Sequence, residues 1–397
     1  MSTSGHDRAL TILDVPAGVA CVDALWQPID DALNGRCSIA LVPEPSALTP
    51  APVVETIRAA ARPDAPIDEE IAVVVSTSGS TGQPRGVCLT ADAVTCMNDY
   101  VNELAGGDPT WVLAIPATSI GGLNVLVRAR ASGRRPIALA SVGGAERFTD
   151  VGFATAISKA QQTGHPIAVS LVPPQLPRLL ASRTGRDALA ACTLVLVGGA
   201  ALAPQAAREC RSAGIHVTTS YGMTETSGGC VLDGQPLPGV NIRVEEPDGR
   251  IFVSGPMLAR GYRDGEDIAG GWLRTNDRGR WVDEHLEILG RLDDVIVVQG
   301  VNVDLVAVEE RLLDHPLVES AITLAVAEAP GTRLHVVYVG EDIAHDELRG
   351  WVSARLGAPA APSAVHRVED FTMTASGKID RRATAALLDL QLARDDQ

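Results

Sequence analysis

A continuous apolar, β-branched run, Ile71-Ala72-Val73-Val74-Val75, ends abruptly in serine, threonine and glycine, which predicts a buried strand feeding a loop. Similar runs at 38–42, 111–115, 137–140, 167–172, 194–197 and 215–219 alternate with helical patterns at 53–61, 91–104, 150–162 and 175–182. Thr90 is placed to cap the second of these helices, and a further helix is opened by Pro204 and closed by Gly214. Such alternation predicts parallel β-α-β units and therefore an α/β fold. Toward the C-terminus the pattern changes. Asp304 is placed to cap a helix with Leu305, Val308 and Leu312 on one face, and strands at 320–326 and 334–339 with a helix at 346–356 make a small α+β unit. A chain of 397 residues is long for one core, so two domains are expected.

Composition narrows the partners. A formal net charge of −16 argues against nucleic acid or an anionic membrane, since both are polyanions and repel an acidic protein at long range. No apolar run approaches the roughly 18 residues of a membrane span, and residues 1–10 are polar with no signal-peptide core, so a cytoplasmic protein is expected. The seven cysteines are scattered and odd in number, which indicates buried thiols rather than a disulfide framework or zinc site. Lysine occurs only at Lys159 and Lys378, and arginine supplies the other 31 basic residues. Where a planar guanidinium serves, this chain uses it. Lys159 falls on an exposed helix face, whereas Lys378 marks a place that calls for a compact ammonium.

Three loops carry candidate chemistry. The first is Ser76-Thr77-Ser78-Gly79-Ser80-Thr81-Gly82-Gln83-Pro84-Arg85-Gly86, whose glycines let the backbone approach a ligand and whose hydroxyls suit phosphate oxygens. It lacks the Gly-Lys-Ser/Thr of a Walker A loop, and Pro84 stands where that motif's helix begins. A flexible linker has a similar composition. The second loop, Gly198-Gly199-Ala200, and the third, Ser220-Tyr221-Gly222-Met223-Thr224-Glu225-Thr226, follow successive strands. Ligands of open α/β sheets bind outside the carboxyl strand ends, so all three loops are expected to face one crevice. There Tyr221 offers a ring to an adenine, Thr224 a hydroxyl to a phosphate and Glu225 a carboxylate to Mg2+.

In order, these residues resemble the adenylate-forming superfamily of acyl-CoA synthetases, luciferases and peptide-synthetase adenylation domains. Thr-Ser-Gly-Ser-Thr-Gly-x-Pro-Arg-Gly is similar to its signature loop, with Arg85 where most members have lysine. Tyr-Gly-Met-Thr-Glu-Thr is similar to its adenylate-binding motif. Arg274-Thr275-Asn276-Asp277 resembles Thr-Gly-Asp, which implies that Asp277 holds the ribose hydroxyls. Gly290-Arg291-Leu292-Asp293-Asp294 resembles the hinge before a mobile C-terminal domain, and Ser376-Gly377-Lys378-Ile379 the final motif, where the scarce lysine falls. The resemblance divides the chain into an ATP- and acyl-binding domain, 1–290, and a C-terminal domain, 291–397. It implies catalytic roles for Lys378, Glu225 and Thr81. The other nucleotide-binding positions it implies are Ser76, Thr77, Ser78, Gly79, Ser80, Gly82, Arg85, Gly198, Gly199, Ala200, Ser220, Tyr221, Gly222, Met223, Thr224, Asp277 and Arg291. Thr118 and Ser119 depart from the family, which places a histidine or aromatic residue there to line the acyl pocket.

The run from Ser220 to Gly234 is most similar to o-succinylbenzoate–CoA ligases of menaquinone biosynthesis. The resemblance implies ATP, Mg2+ and coenzyme A as reactants and cofactor, and a small carboxylic acid as substrate. The second carboxylate of o-succinylbenzoate calls for a cation in the acyl pocket. Arg128 is one candidate, although a solvated helix arginine is the plainer reading. Rival readings are a ligase for another aryl or fatty acid and a module loading an amino acid onto a carrier protein. A homodimer is kept as an option for the oligomeric state.

Overall fold

The computed structural model describes residues 7–46, 49–77, 84–298, 300–328, 331–374, 379–390 and 392–393. Among them, two larger sheets form the body of the α/β fold. One orders Gly261–Tyr262, Arg85–Thr90, Ile71–Thr77, Ser38–Pro43 and Leu10–Val15 side by side. The other runs from Gln235–Pro236 through Gly228–Leu232, Val217–Met223, Leu194–Gly198, Ile167–Leu171 and Thr110–Leu113 to Ile137–Ala138. Its middle strands are parallel, as expected of β-α-β units. Leu25, Ile29, Leu41, Val73, Trp111, Phe153 and Val195 are fully buried in one cluster joining both sheets.

Several elements differ from the sequence expectation. Leu10–Val15 and Ala20–Leu33 add a strand and a helix where no element was expected. The 91–104 helix is two pieces, Ala91–Thr95 and Asn98–Leu104, with Thr90 capping the first through Ala93 N at 3.2 Å. The Thr95 hydroxyl bonds back to the Ala91 carbonyl at 2.9 Å, a local bond that bends and competes with the helix ladder. After the signature loop the chain returns as the antiparallel strand Arg85–Thr90, and Val217–Met223 runs four residues beyond its expected end at Thr219. An antiparallel sheet of Asn241–Glu245, Arg250–Ser254, Leu273–Val282 and His285–Arg291 carries the chain toward its C-terminal part.

That part has cores of its own. Val336 and Tyr338 face the helices Leu305–Leu313 and His345–Leu356, meeting Val308, Leu312, Leu348 and Val352. Val337, between them in sequence, points to the opposite face with Ile322, Leu324 and Phe371, as the two-residue period of a strand requires. Asp304 caps its helix as expected, accepting from Val306 N at 2.9 Å.

Candidate active site

Strand pairing brings the second and third loops together. Val197 lies beside Thr219 and Gly198 beside Ser220 in parallel register, so both segments emerge at the same carboxyl edge. Gly199 has φ +87°, a left-handed turn that favours glycine. Gly222 and Gly229 face one another across the next, antiparallel strand. A Cβ on Gly222 would stand 2.0 Å from the Gly228 carbonyl oxygen, and one on Gly229 1.9 Å from Ser220 Oγ. Gly222 is therefore a steric necessity, since its Cβ would strike backbone, whereas at Gly229 the Ser220 hydroxyl would have to rotate away. Thr224 is buried in the turn that follows, and Thr226 Oγ1 closes that turn by accepting from Met223 N at 2.9 Å.

Two tyrosine–carboxylate pairs flank this strand end. Tyr221 Oη donates to Asp277 Oδ2 at 2.9 Å, tying the motif strand to the antiparallel sheet. Arg291 is the pairing partner of Asp277 in that sheet and brings Nη1 to 3.6 Å from Asp277 Oδ1. The same guanidinium donates to both carboxylate oxygens of Asp293, at 2.8 and 2.7 Å. These bonds to Asp293 hold the arginine's pKa above its ordinary value, and burial followed by the Asp277 charge does the same for the Tyr221 phenol.

The second pair joins different sheets. Tyr262 Oη donates to Glu225 Oε1 at 3.0 Å, and Arg85 stacks on the Tyr262 ring with its guanidinium carbon 3.6 Å from the centroid. Arg85 also donates to both oxygens of Asp264, each at 2.9 Å, and to Glu266 Oε2 at 2.7 Å. The next residue, Arg263, clasps the carbonyls of Ala61, Arg62, Ala65 and Pro66 with its guanidinium. Arg85, expected at the nucleotide, is thus engaged by two carboxylates, Asp264 and Glu266. Glu225 Oε2 has no hydrogen-bond partner among the described residues. A carboxylate with one oxygen unbonded among the described residues fits Mg2+, which is commonly held by one or two carboxylates together with substrate phosphates.

At the base of the first loop, Thr77 faces Arg85 and Ser76 faces Gly86 across the hairpin. A Cβ on Gly86 would meet the Ala60 carbonyl at 2.7 Å. Ser78, Gly79, Ser80, Thr81 and Gly82 lie outside the described residues, as does Lys378.

Arg128 overturns its plainer reading. It is buried at 6% exposure on helix Ile120–Ala131, with its guanidinium carbon 5.5 Å from the Trp111 ring centroid. Nε has no partner, and no side-chain hydrogen bond to the guanidinium occurs among the described residues. Burial pulls its pKa down to about 10. The same helix touches the nucleotide motif, since Asn124 Nδ2 donates to the Ser227 carbonyl at 2.8 Å. The helix begins where Ser119 accepts from Gly122 N at 3.2 Å, so Ser119 is a cap. Sequence reasoning missed Tyr262, Asp264, Glu266 and Asn124, whose partners lie far away in the chain and share no local motif.

Glycine-rich strand ends at the carboxyl edge of a parallel sheet, with two tyrosine-held carboxylates beside them, fit a nucleotide-binding α/β enzyme. The chain belongs to the AMP-binding enzyme family, which matches residues 7–263, and the family's C-terminal domain matches residues 307–378. A "Probable 2-succinylbenzoate–CoA ligase" of Mycobacterium tuberculosis is 36% identical over 383 residues, covering 94% of this chain and 96% of the relative. A "2-succinylbenzoate–CoA ligase" of Bacillus cytotoxicus is 30% identical, covering 81% of this chain and 71% of the relative. The amide bond synthetase McbA from Marinactinospora thermotolerans superposes with TM-score 0.72 at 24% identity, covering 96% of this chain and 90% of the other. The o-succinylbenzoate coenzyme A synthetase from Bacillus subtilis in complex with ATP and magnesium ion gives 0.69 at 22%, covering 94% and 88%. The two solved structures establish the shared fold.

Proposed function

We propose that this chain is an AMP-forming 2-succinylbenzoate–CoA ligase, acting in menaquinone biosynthesis with ATP, Mg2+ and coenzyme A. A carboxylate oxygen of the acid attacks the α-phosphorus of ATP, and the bond to pyrophosphate breaks. The thiolate sulfur of coenzyme A then attacks the acyl carbon, and AMP leaves with its phosphate oxygen. Asp277 accepts the ribose hydroxyls, and its bond from Tyr221 fixes the ring that flanks the adenine. Arg291 steadies Asp277. Gly198, Gly199, Ala200 and the backbone of Ser220, Gly222 and Met223 wall the nucleotide, while Ser76, Thr77 and Thr224 offer hydroxyls to phosphates. The remaining residues of the signature loop, Thr81 among them, are assigned by the family resemblance. Glu225 would hold Mg2+, which when bound offsets charge on the phosphates. Lys378 adds a point charge during adenylate formation. We place the boundary between body and C-terminal domain at 290/291, with Asp293 as the pivot.

Arg128 is the observation that carries the choice of acid. A buried guanidinium without a hydrogen-bonded partner is unfavourable unless a ligand supplies the anion, and 2-succinylbenzoate has a carboxylate to spare. The names of the mycobacterial and Bacillus relatives support the same acid. The test is an acid panel with ATP and coenzyme A, read by pyrophosphate release and thioester mass. Strong preference for 2-succinylbenzoate over benzoate and hexanoate is expected; equal turnover would make the protein a general acyl-CoA ligase.

A further inference from the structure

The body and the C-terminal unit meet through ion pairs of one polarity. Arg178 Nη2 lies 2.7 and 2.8 Å from the two oxygens of Asp370, and Arg147 Nη2 lies 3.4 Å from Oδ2. Arg208 approaches Asp314 at 4.0 Å, and Arg278 pairs with Asp304. Apart from Arg291 at the hinge, each such pair among the described residues has its arginine on the body and its aspartate on the C-terminal unit. In a chain of net charge −16 this places basic groups of the body against acidic groups of the smaller unit.

Asp370 occupies a particular place in this contact. It lies eight residues before Lys378, at the base of the segment that carries it. That base is closed by the bridge between Met373 and Ile379 and by Asp380 N donating to the Thr372 carbonyl at 2.8 Å. On its far side Arg381 is anchored inside the C-terminal unit, donating to the Thr323 carbonyl at 2.8 Å and to Glu309 Oε2 at 2.9 Å. Asp370 is thus the ionic link from this base to the body. Its partner Arg178 sits on the helix that follows strand Ile167–Leu171 at the sheet's carboxyl edge.

We propose that Asp370 is a positioning residue, docking the C-terminal unit through Arg178 and Arg147 in the orientation that serves adenylate formation, and releasing it for thioester formation. This rests on the ligase reading above. Asp370 is 45% exposed and Arg178 40%, so the link is weak enough to break in every turnover. Exposed ion pairs of this kind shift an equilibrium by up to about fivefold, and salt screens them.

The test separates the two half-reactions in the full-length protein. Pyrophosphate release without coenzyme A, and thioester formation from supplied 2-succinylbenzoyl-adenylate, are measured for wild type, Asp370→Asn, Arg178→Gln and the double variant. Each single change should lower pyrophosphate release about two- to fivefold at low salt, with the double variant no worse than the worse single. Thioester formation should be unchanged or faster, melting temperatures unchanged, and high salt should bring wild type down to the variants. Multiplying defects, equal losses in both half-reactions, or no loss at all in an active enzyme would overturn the docking role. A wild type that releases no pyrophosphate with any acid would overturn the ligase reading itself, and the docking role with it.

Discussion

Asp277 and Glu225 are both held by a tyrosine hydroxyl, yet their surroundings differ. At Asp277 an arginine, Arg291, faces the carboxylate itself at 3.6 Å, while its two shorter bonds go to Asp293. At Glu225 the arginine is one residue removed: Arg85 stacks on Tyr262, and its own charge is met by Asp264 and Glu266. Glu225 therefore has no cation paired with it among the described residues, and its Oε2 has no hydrogen-bond partner there. A charge-offset carboxylate suits neutral hydroxyls, as on a ribose, whereas an uncompensated one suits a cation. On the ligase reading, the contrast separates the ribose end of the nucleotide from its phosphate end.

The largest effect is expected at the phosphate end. Lys378→Ala should cut adenylate formation by on the order of 10²- to 10³-fold, while supplied acyl-adenylate is still converted to thioester. Pyrophosphate release at the normal rate would remove Lys378 from the chemistry. The contrast itself is tested by Glu225→Gln and Asp277→Asn, each about 10- to 100-fold impaired. The first should move the Mg2+ titration of ATP binding, and the second the ATP affinity at saturating Mg2+. If both moved the same titration, the contrast would fail.

Arg128→Met should lower the preference for 2-succinylbenzoate over benzoate by about 10-fold or more, because the proposed partner of the second carboxylate is lost. The same change should raise the melting temperature by about 2 °C or more, since a buried unpaired cation is replaced by an apolar chain of similar length. A lower melting temperature would mean that the Trp111 contact matters more than desolvation. Smallest of all, Tyr262→Phe and Tyr221→Phe should each cost about 2- to 10-fold. The former should act through Mg2+ dependence and the latter through ATP affinity.

Much of the framework around the candidate site was legible because it is local in sequence. Tyr221 to Thr226 form one strand end and turn, Gly198 to Ala200 follow the neighbouring strand, and Asp304 caps the helix that begins at the next residue. What escaped was long-range. The engagement of Arg85 by Asp264 and Glu266 comes from a distant return of the chain and leaves no local sign in the sequence. Arg128 lies on a weakly amphipathic helix whose burial comes from elements packed around it. The break between Thr95 and Asn98 coincides with a hydroxyl bond to Ala91 that helical periodicity does not register.

A ligase of this kind must make an acyl-adenylate at this site. The direct measurement incubates the protein with ATP, Mg2+ and 2-succinylbenzoate but no coenzyme A, and weighs the bound product. One equivalent of 2-succinylbenzoyl-adenylate with a matching burst of pyrophosphate is the expected result; ADP and phosphate, or no nucleotide product while another acid is activated, would contradict it.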